Sequence, residues 1–118
     1  MISGTIQVDI DIKPGSGPNT INPKSKGVVP VAILGSATFC VNDVDVTNLA
    51  FGPGGAAPDH TEGGHLKDVN GDGYTDLVSH YRTQETGIAK GDTAACVNAQ
   101  TNDGLAIVGC DSFKIAGK

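Results

Sequence analysis

Tryptophan is absent from this chain, and only three Phe and two Tyr stand in for it among 118 residues. That leaves only a weak platform for stacking sugars. Basic residues are also scarce: eight Lys and Arg face thirteen Asp and Glu, a net charge of -5, and the cations are scattered. This disfavours nucleic acid as a partner. No apolar run approaches the 18 or so residues of a membrane span. Met1–Gly4 lacks the charged start and apolar core of a secretion signal. That is expected of a mature chain, or of a domain cut from a larger protein. Gly-x-Ser-x-Gly elbows and phosphate loops are missing too, since Gly52-Pro53-Gly54-Gly55 lacks the Gly-Lys-Ser/Thr ending. No nucleophile constellation stands out, and the chain is read as a non-enzyme.

What is abundant is glycine, with seventeen, and turn chemistry in general. Short strands joined by tight turns are favoured over long helices, and no helical stripe exceeds two turns. Ile6, Val8, Ile10 and Ile12 alternate with Gln7, Asp9 and Asp11, which predicts one half-buried strand. Val28–Leu34 is a continuous apolar strand closed by Gly35. Pro30 cannot donate to a ladder, so it marks an edge or a bulge. Phe39–Phe51 predicts one or two short strands, with Val41, Val44, Val46, Leu49 and Phe51 in the core and Asp43 and Asp45 outside. A loop runs from Gly52 to about Gly64. Strands follow at Leu77–Arg82, near Ile88-Ala89 and at Ser112–Ala116. Strands at this spacing predict an all-β fold: one domain, 1–118, built as an Ig-like antiparallel β-sandwich with one long loop before the Leu77 strand.

Cys96 and Cys110 flank a hairpin signal, Asn102-Asp103-Gly104. Folding about Asp103 sets Gln100 opposite Ala106 and Cys96 opposite Cys110, close enough for a disulfide. The alternative is two reduced, buried thiols. Cys40 is left over. It reads as a small core residue near Phe39, with an interchain link as the sharper alternative.

The densest chemistry lies at Asp68-Val69-Asn70-Gly71-Asp72-Gly73-Tyr74-Thr75-Asp76. Asp68, Asn70, Asp72 and Asp76 occupy the first, third, fifth and ninth positions of a calcium loop, with Gly73 at its sharp turn. Tyr74 offers its backbone carbonyl at position seven. Asp76 acts directly or through a water. Three carboxylates within nine residues repel one another unless a cation neutralises them. Position twelve is Ser79, where a helix-loop-helix site carries a bidentate glutamate. An extracellular-grade affinity for Ca2+, about 10⁻⁴ to 10⁻³ M or somewhat tighter, is expected. The flanks read as strand, so the loop resembles those of FG-GAP repeats, thrombospondin type 3 repeats and dockerins. The bland alternative is a solvated turn without metal.

Zinc is a weaker reading. A zinc site needs three or four converging ligands, and the spacing of His60, His65 and His80 does not show that geometry. His65, three residues before Asp68, is expected to pack against or orient the loop. Glycan is the rival partner: Tyr74 and Tyr81, with Arg82 and Gln84 nearby, are the candidate contacts, while Phe39, Phe51 and Phe113 are expected in the core.

Several motifs in fixed order resemble one bacterial and archaeal extracellular domain family. They are Ile10-Asp11-Ile12-Lys13-Pro14-Gly15-Ser16, Ile21-Asn22-Pro23-Lys24-Ser25-Lys26-Gly27, Pro30-Val31-Ala32-Ile33-Leu34-Gly35, Phe51-Gly52-Pro53, the Asp68–Asp76 loop and Thr83-Gln84-Glu85-Thr86-Gly87-Ile88. The resemblance spans almost the whole chain. It implies a secreted or cell-surface location, as an appendage of a large protein beside other β modules, and no enzymatic role. The family pattern does not demand Cys40. The resulting expectation is a calcium-stabilised structural, adhesion or assembly module. Its partners are neighbouring domains or copies of itself, with filament building through the first strand as one form of assembly. A carbohydrate-binding module appended to a secreted enzyme is the alternative.

Overall fold

The structure, a computed structural model, describes residues 5–13, 20–59 and 64–115. Among these residues, ten strands follow one another. They are β1 (Thr5–Gln7), β2 (Ile10–Ile12), β3 (Thr20–Ile21), β4 (Val28–Ile33), β5 (Ala50–Phe51), β6 (His65–Lys67), β7 (Asp76–Arg82), β8 (Ala94–Gln100), β9 (Ala106–Ser112) and β10 (Lys114–Ile115). The helical content is three one-turn 3-10 segments, so the chain is mostly β, as expected. One sheet has the order β1-β9-β8-β5 and another β2-β4-β7-β6, while β3 and β10 form a separate pair.

The alternating segment Ile6–Ile12 is not one strand. Val8 N–H donates to Val108 O at 2.9 Å, and Asp9 O accepts from Leu34 N–H at 2.9 Å. The chain therefore leaves the first sheet at Val8 and enters the second at Asp9. Ile10 and Ile12 are buried, and Ile6 and Val8 pack partly buried against the same core. The crossing presses on Gly109, where a Cβ would lie 2.7 Å from both Val8 O and the Ile10 methyl Cγ2.

The β8–β9 hairpin matches its sequence signal. Cys96 faces Cys110 and Gln100 faces Ala106 in the antiparallel register. Gly104 takes φ 89° in the turn, a conformation that costs glycine little. Thr101 Oγ1 accepts the Leu105 N–H at 3.0 Å and closes it. Cys96 and Cys110 form a disulfide with Cα atoms 4.0 Å apart.

The pairing is not wholly antiparallel, because β1 runs parallel to β9 and β3 parallel to β10. These strands come from opposite regions of the chain, so the intervening fold supplies the long crossover that parallel pairing requires.

Pro30 lies on an interior strand rather than at an edge. Its carbonyl accepts the Lys13 N–H at 2.7 Å, so its missing donor faces the β2 side, where β2 has already ended at Ile12. No ladder bond to β7 is lost.

Most of the strands expected between Phe39 and Phe51 are instead 3-10 turns at Val41–Asp43 and Val46–Asn48. Asp45 drives the second turn, its carboxylate accepting from Thr47 N–H at 3.0 Å and Asn48 Nδ2 at 2.7 Å. Such local bonds compete with extended structure. Val41, Val44, Leu49 and Phe51 are nevertheless buried, while Val46 is only partly so. Ile88 is buried without forming a strand. Near the C-terminus, β9 extends to Ser112 and the last pairing is Lys114–Ile115; Ala116 lies outside the described residues.

One core joins both large sheets. Ile12, Val31, Ile33, Leu77 and Tyr81 from one meet Phe51, Val97, Ala99 and Ile107 from the other. The Phe51 and Tyr81 rings lie 5.2 Å apart across this contact. Phe113 is buried. Cys40 is exposed and unbridged, contrary to its expected burial, because the adjacent Val41 takes the interior position at the start of its turn.

Candidate metal centre

The loop 68–75 connects β6 to β7, whose ladder closes it where Lys67 faces Asp76. Asp68 organises the curl: Oδ1 accepts Gly71 N–H at 2.9 Å and Oδ2 accepts Gly73 N–H at 3.0 Å. Asn70 Oδ1 accepts Asp72 N–H at 3.4 Å, and Asp72 Oδ1 accepts Tyr74 N–H at 2.9 Å. Each is a short side chain turning the backbone two to five residues ahead. Gly71 and Gly73 take φ 73° and 89°, which suits the glycine expected at the sixth loop position.

Asp76 differs from the rest of the set. It is fully buried. Its Oδ1 accepts Gly35 N–H at 2.8 Å and its Oδ2 accepts Val69 N–H at 2.9 Å. It thus ties the loop to β4's end, while Asp68, Asn70, Asp72 and Tyr74 remain exposed. Among the described residues, no three His, Cys, Asp or Glu side chains group closely enough to hold an ion by themselves.

The donor chemistry of the loop is hard oxygen throughout: two exposed carboxylates, the Asn70 amide and the Tyr74 carbonyl. The Gly73 N–H, seconded by other loop N–H groups, holds Asp68 below the usual carboxylate range. Among the described residues the one ion pair is Arg82–Asp59, at 2.8 Å. No basic side chain there neutralises the loop carboxylates.

The remaining candidates are dispersed. His65 is exposed on β6 and stacks on His80, ring centres 5.9 Å apart; His60 lies outside the described residues. Tyr81 is 1% exposed, so it belongs to the core rather than to a sugar shelf. Burial pushes its phenol up to about 12. Arg82 is held by Asp59, and Gln84 Nε2 donates to Lys24 O at 3.3 Å. Gly35 and Val69, the partners of Asp76, carry no functional side chain and leave no motif of their own. The one sequence signal was the place of Asp76 at the head of an apolar strand.

Among the described residues no helix is long and apolar enough to cross a membrane. Comparison of the chain with protein-family models, with characterised proteins and with solved structures finds no match.

Proposed function

We propose that this chain is a non-catalytic, calcium-stabilised β-sandwich serving a structural, adhesive or assembly role in a secreted or cell-surface protein. The observation that carries the reading is the loop curled about Asp68. It concentrates ionised and amide oxygens between two paired strands, with no basic partner among the described residues. Asp68, Asn70, Asp72 and the Tyr74 carbonyl hold the ion. Asp76, fully buried where Asp68 is exposed, acts as the anchor and reaches the ion through a water. Ca2+ suits such a set because it accepts six to eight oxygens in a flexible shell. The Cys96–Cys110 disulfide fits an oxidising compartment.

The ion works by linkage: binding only the folded chain, it stabilises by about 2.7 kcal/mol at a hundredfold excess over Kd. For a domain of this size that is roughly 10 °C in Tm. Calorimetric titration of chelator-treated protein tests it, together with Asp72→Ala. The variant should melt lower than the parent in calcium and equally in chelator. Absence of both heat and thermal shift in the parent refutes calcium.

A glycan is the second reading, favoured by one feature. Tyr74, 44% exposed, opens on a shallow cleft of about 250 Å³ that Ser36, Phe39 and Asn42 also line. Retention on insoluble polysaccharides, lost with Tyr74→Ala, supports it; uniform non-retention removes it.

A further inference from the structure

The outer face of the β2-β4-β7-β6 sheet carries a second cluster of ligand chemistry, beside the oxygen loop. His65 pairs with Val78 across β6 and β7, and His80 lies two residues farther along β7. Side chains two apart on a strand share a face, so the imidazoles are diagonal neighbours. Their centres are 5.9 Å apart and their planes 25° from parallel. The pair lines a cleft of about 290 Å³ bordered by Pro30, Val78, Lys67 and Asp68.

We propose that His65 and His80 form a two-imidazole binding site for a divalent transition-metal ion of the zinc and copper class. The spacing suits it. A ring nitrogen lies about 1.2 Å from its ring centre and a zinc–nitrogen bond is about 2.0–2.1 Å, so one ion shared by two rings at the tetrahedral angle sets their centres about 5.2 Å apart. The observed separation is slightly longer, and a small shift of the exposed His65 side chain closes it. Rotation about χ2, a broad torsion for histidine, turns one nitrogen of each ring toward the shared position. His65 is exposed and has room to do so. Imidazole selects zinc, copper and nickel, whereas calcium seeks oxygen, so the two sites divide the ions between them. Two protein ligands leave open coordination positions for water or for a donor from another molecule. This is an open site rather than a closed structural one.

Zinc chloride titrated calorimetrically into the full chain, with calcium present and Cys40→Ser to remove the exposed thiol, tests the proposal. One zinc per chain should bind. The affinity should fall at least tenfold in His65→Ala, which alters an exposed side chain, and in His80→Gln, which keeps a polar one. Circular dichroism verifies that each variant is folded. Asp72→Ala should retain the zinc. No zinc heat in the parent overturns the site, and so does binding that survives both histidine variants. Binding lost with Asp72→Ala but kept by His65→Ala would place the ion in the loop and equally refute it.

Discussion

Asp76 and Gly35 are 41 residues apart and joined by one buried hydrogen bond, the Gly35 N–H donating to Asp76 Oδ1 at 2.8 Å. The other oxygen holds Val69 at 2.9 Å. Asp76→Ala would leave two backbone donors without their acceptor, at about 1–3 kcal/mol each. We expect a loss of about 2–5 kcal/mol in urea unfolding, with chelator as well as with calcium. The exposed Asp72→Ala should cost under about 1 kcal/mol in chelator. Equal losses for the two variants in chelator would contradict the anchoring role.

The Cys96–Cys110 bridge closes a separation of 14 residues. Reduction, or a double Cys→Ser variant, should remove roughly 3 kcal/mol and lower Tm by about 10 °C. In the native oxidised protein, a thiol reagent should titrate one group, the exposed Cys40. Three reactive thiols without denaturant would show that the bridge does not form.

Gly109→Ala should be among the costliest single changes on the β9 strand. The new methyl would meet Val8 O and the Ile10 side chain at 2.7 Å, and the backbone oxygen cannot swing aside. Overpacking of this kind costs about 1–3 kcal/mol. Gly104→Ala, at a turn with open space around the added carbon, meets no such overlap and pays only for its positive φ. Thermal melts of the two variants compare crowding with conformational strain. A Gly109→Ala protein as stable as the parent would refute the close crossing.

Alkaline unfolding should track Tyr81. Burial raises its phenol from 10.0 to about 12, so the fold favours the neutral form. Its contribution is fully present below the unfolded value and is lost as pH rises from 10 toward 12. Phenolate absorbance from Tyr81 should therefore develop together with the loss of β circular dichroism. Ionisation near pH 10 in an intact fold would contradict its burial.

Which parts of this were readable in advance follows from locality. The β8–β9 hairpin was legible because its turn residues and both cysteines obey one symmetry about Asp103. The β7 strand was legible from its β-branched and aromatic residues and the lack of a helical stripe. The alternation of Ile6 to Ile12 reports which side chains face inward, but not which sheet their backbone joins, so the crossing at Val8 was hidden. Tyr81 was misplaced because its polar tip suits either a surface or a core. Asp45 outcompeted the strand propensity of its valine neighbours through side-chain bonds that the residue pattern allowed but did not require. In the loop, spacing placed Asp76 with the other oxygens, and could not show that its carboxylate binds the Gly35 and Val69 N–H groups instead. Nor could it show that His65 and His80, fifteen positions apart, stack on one face.

The parallel alignment of β1 with β9 determines how the molecule bears load. Tension drawing Thr5 backward and the C-terminal end of β9 forward slides the two strands along each other. Their cross-strand bonds are then strained together instead of peeling one at a time. Force travelling along β9 meets Cys110 beyond the last pairing with β1, and the covalent link to Cys96 diverts part of it into β8. The first sheet is thereby arranged to resist such tension by shear.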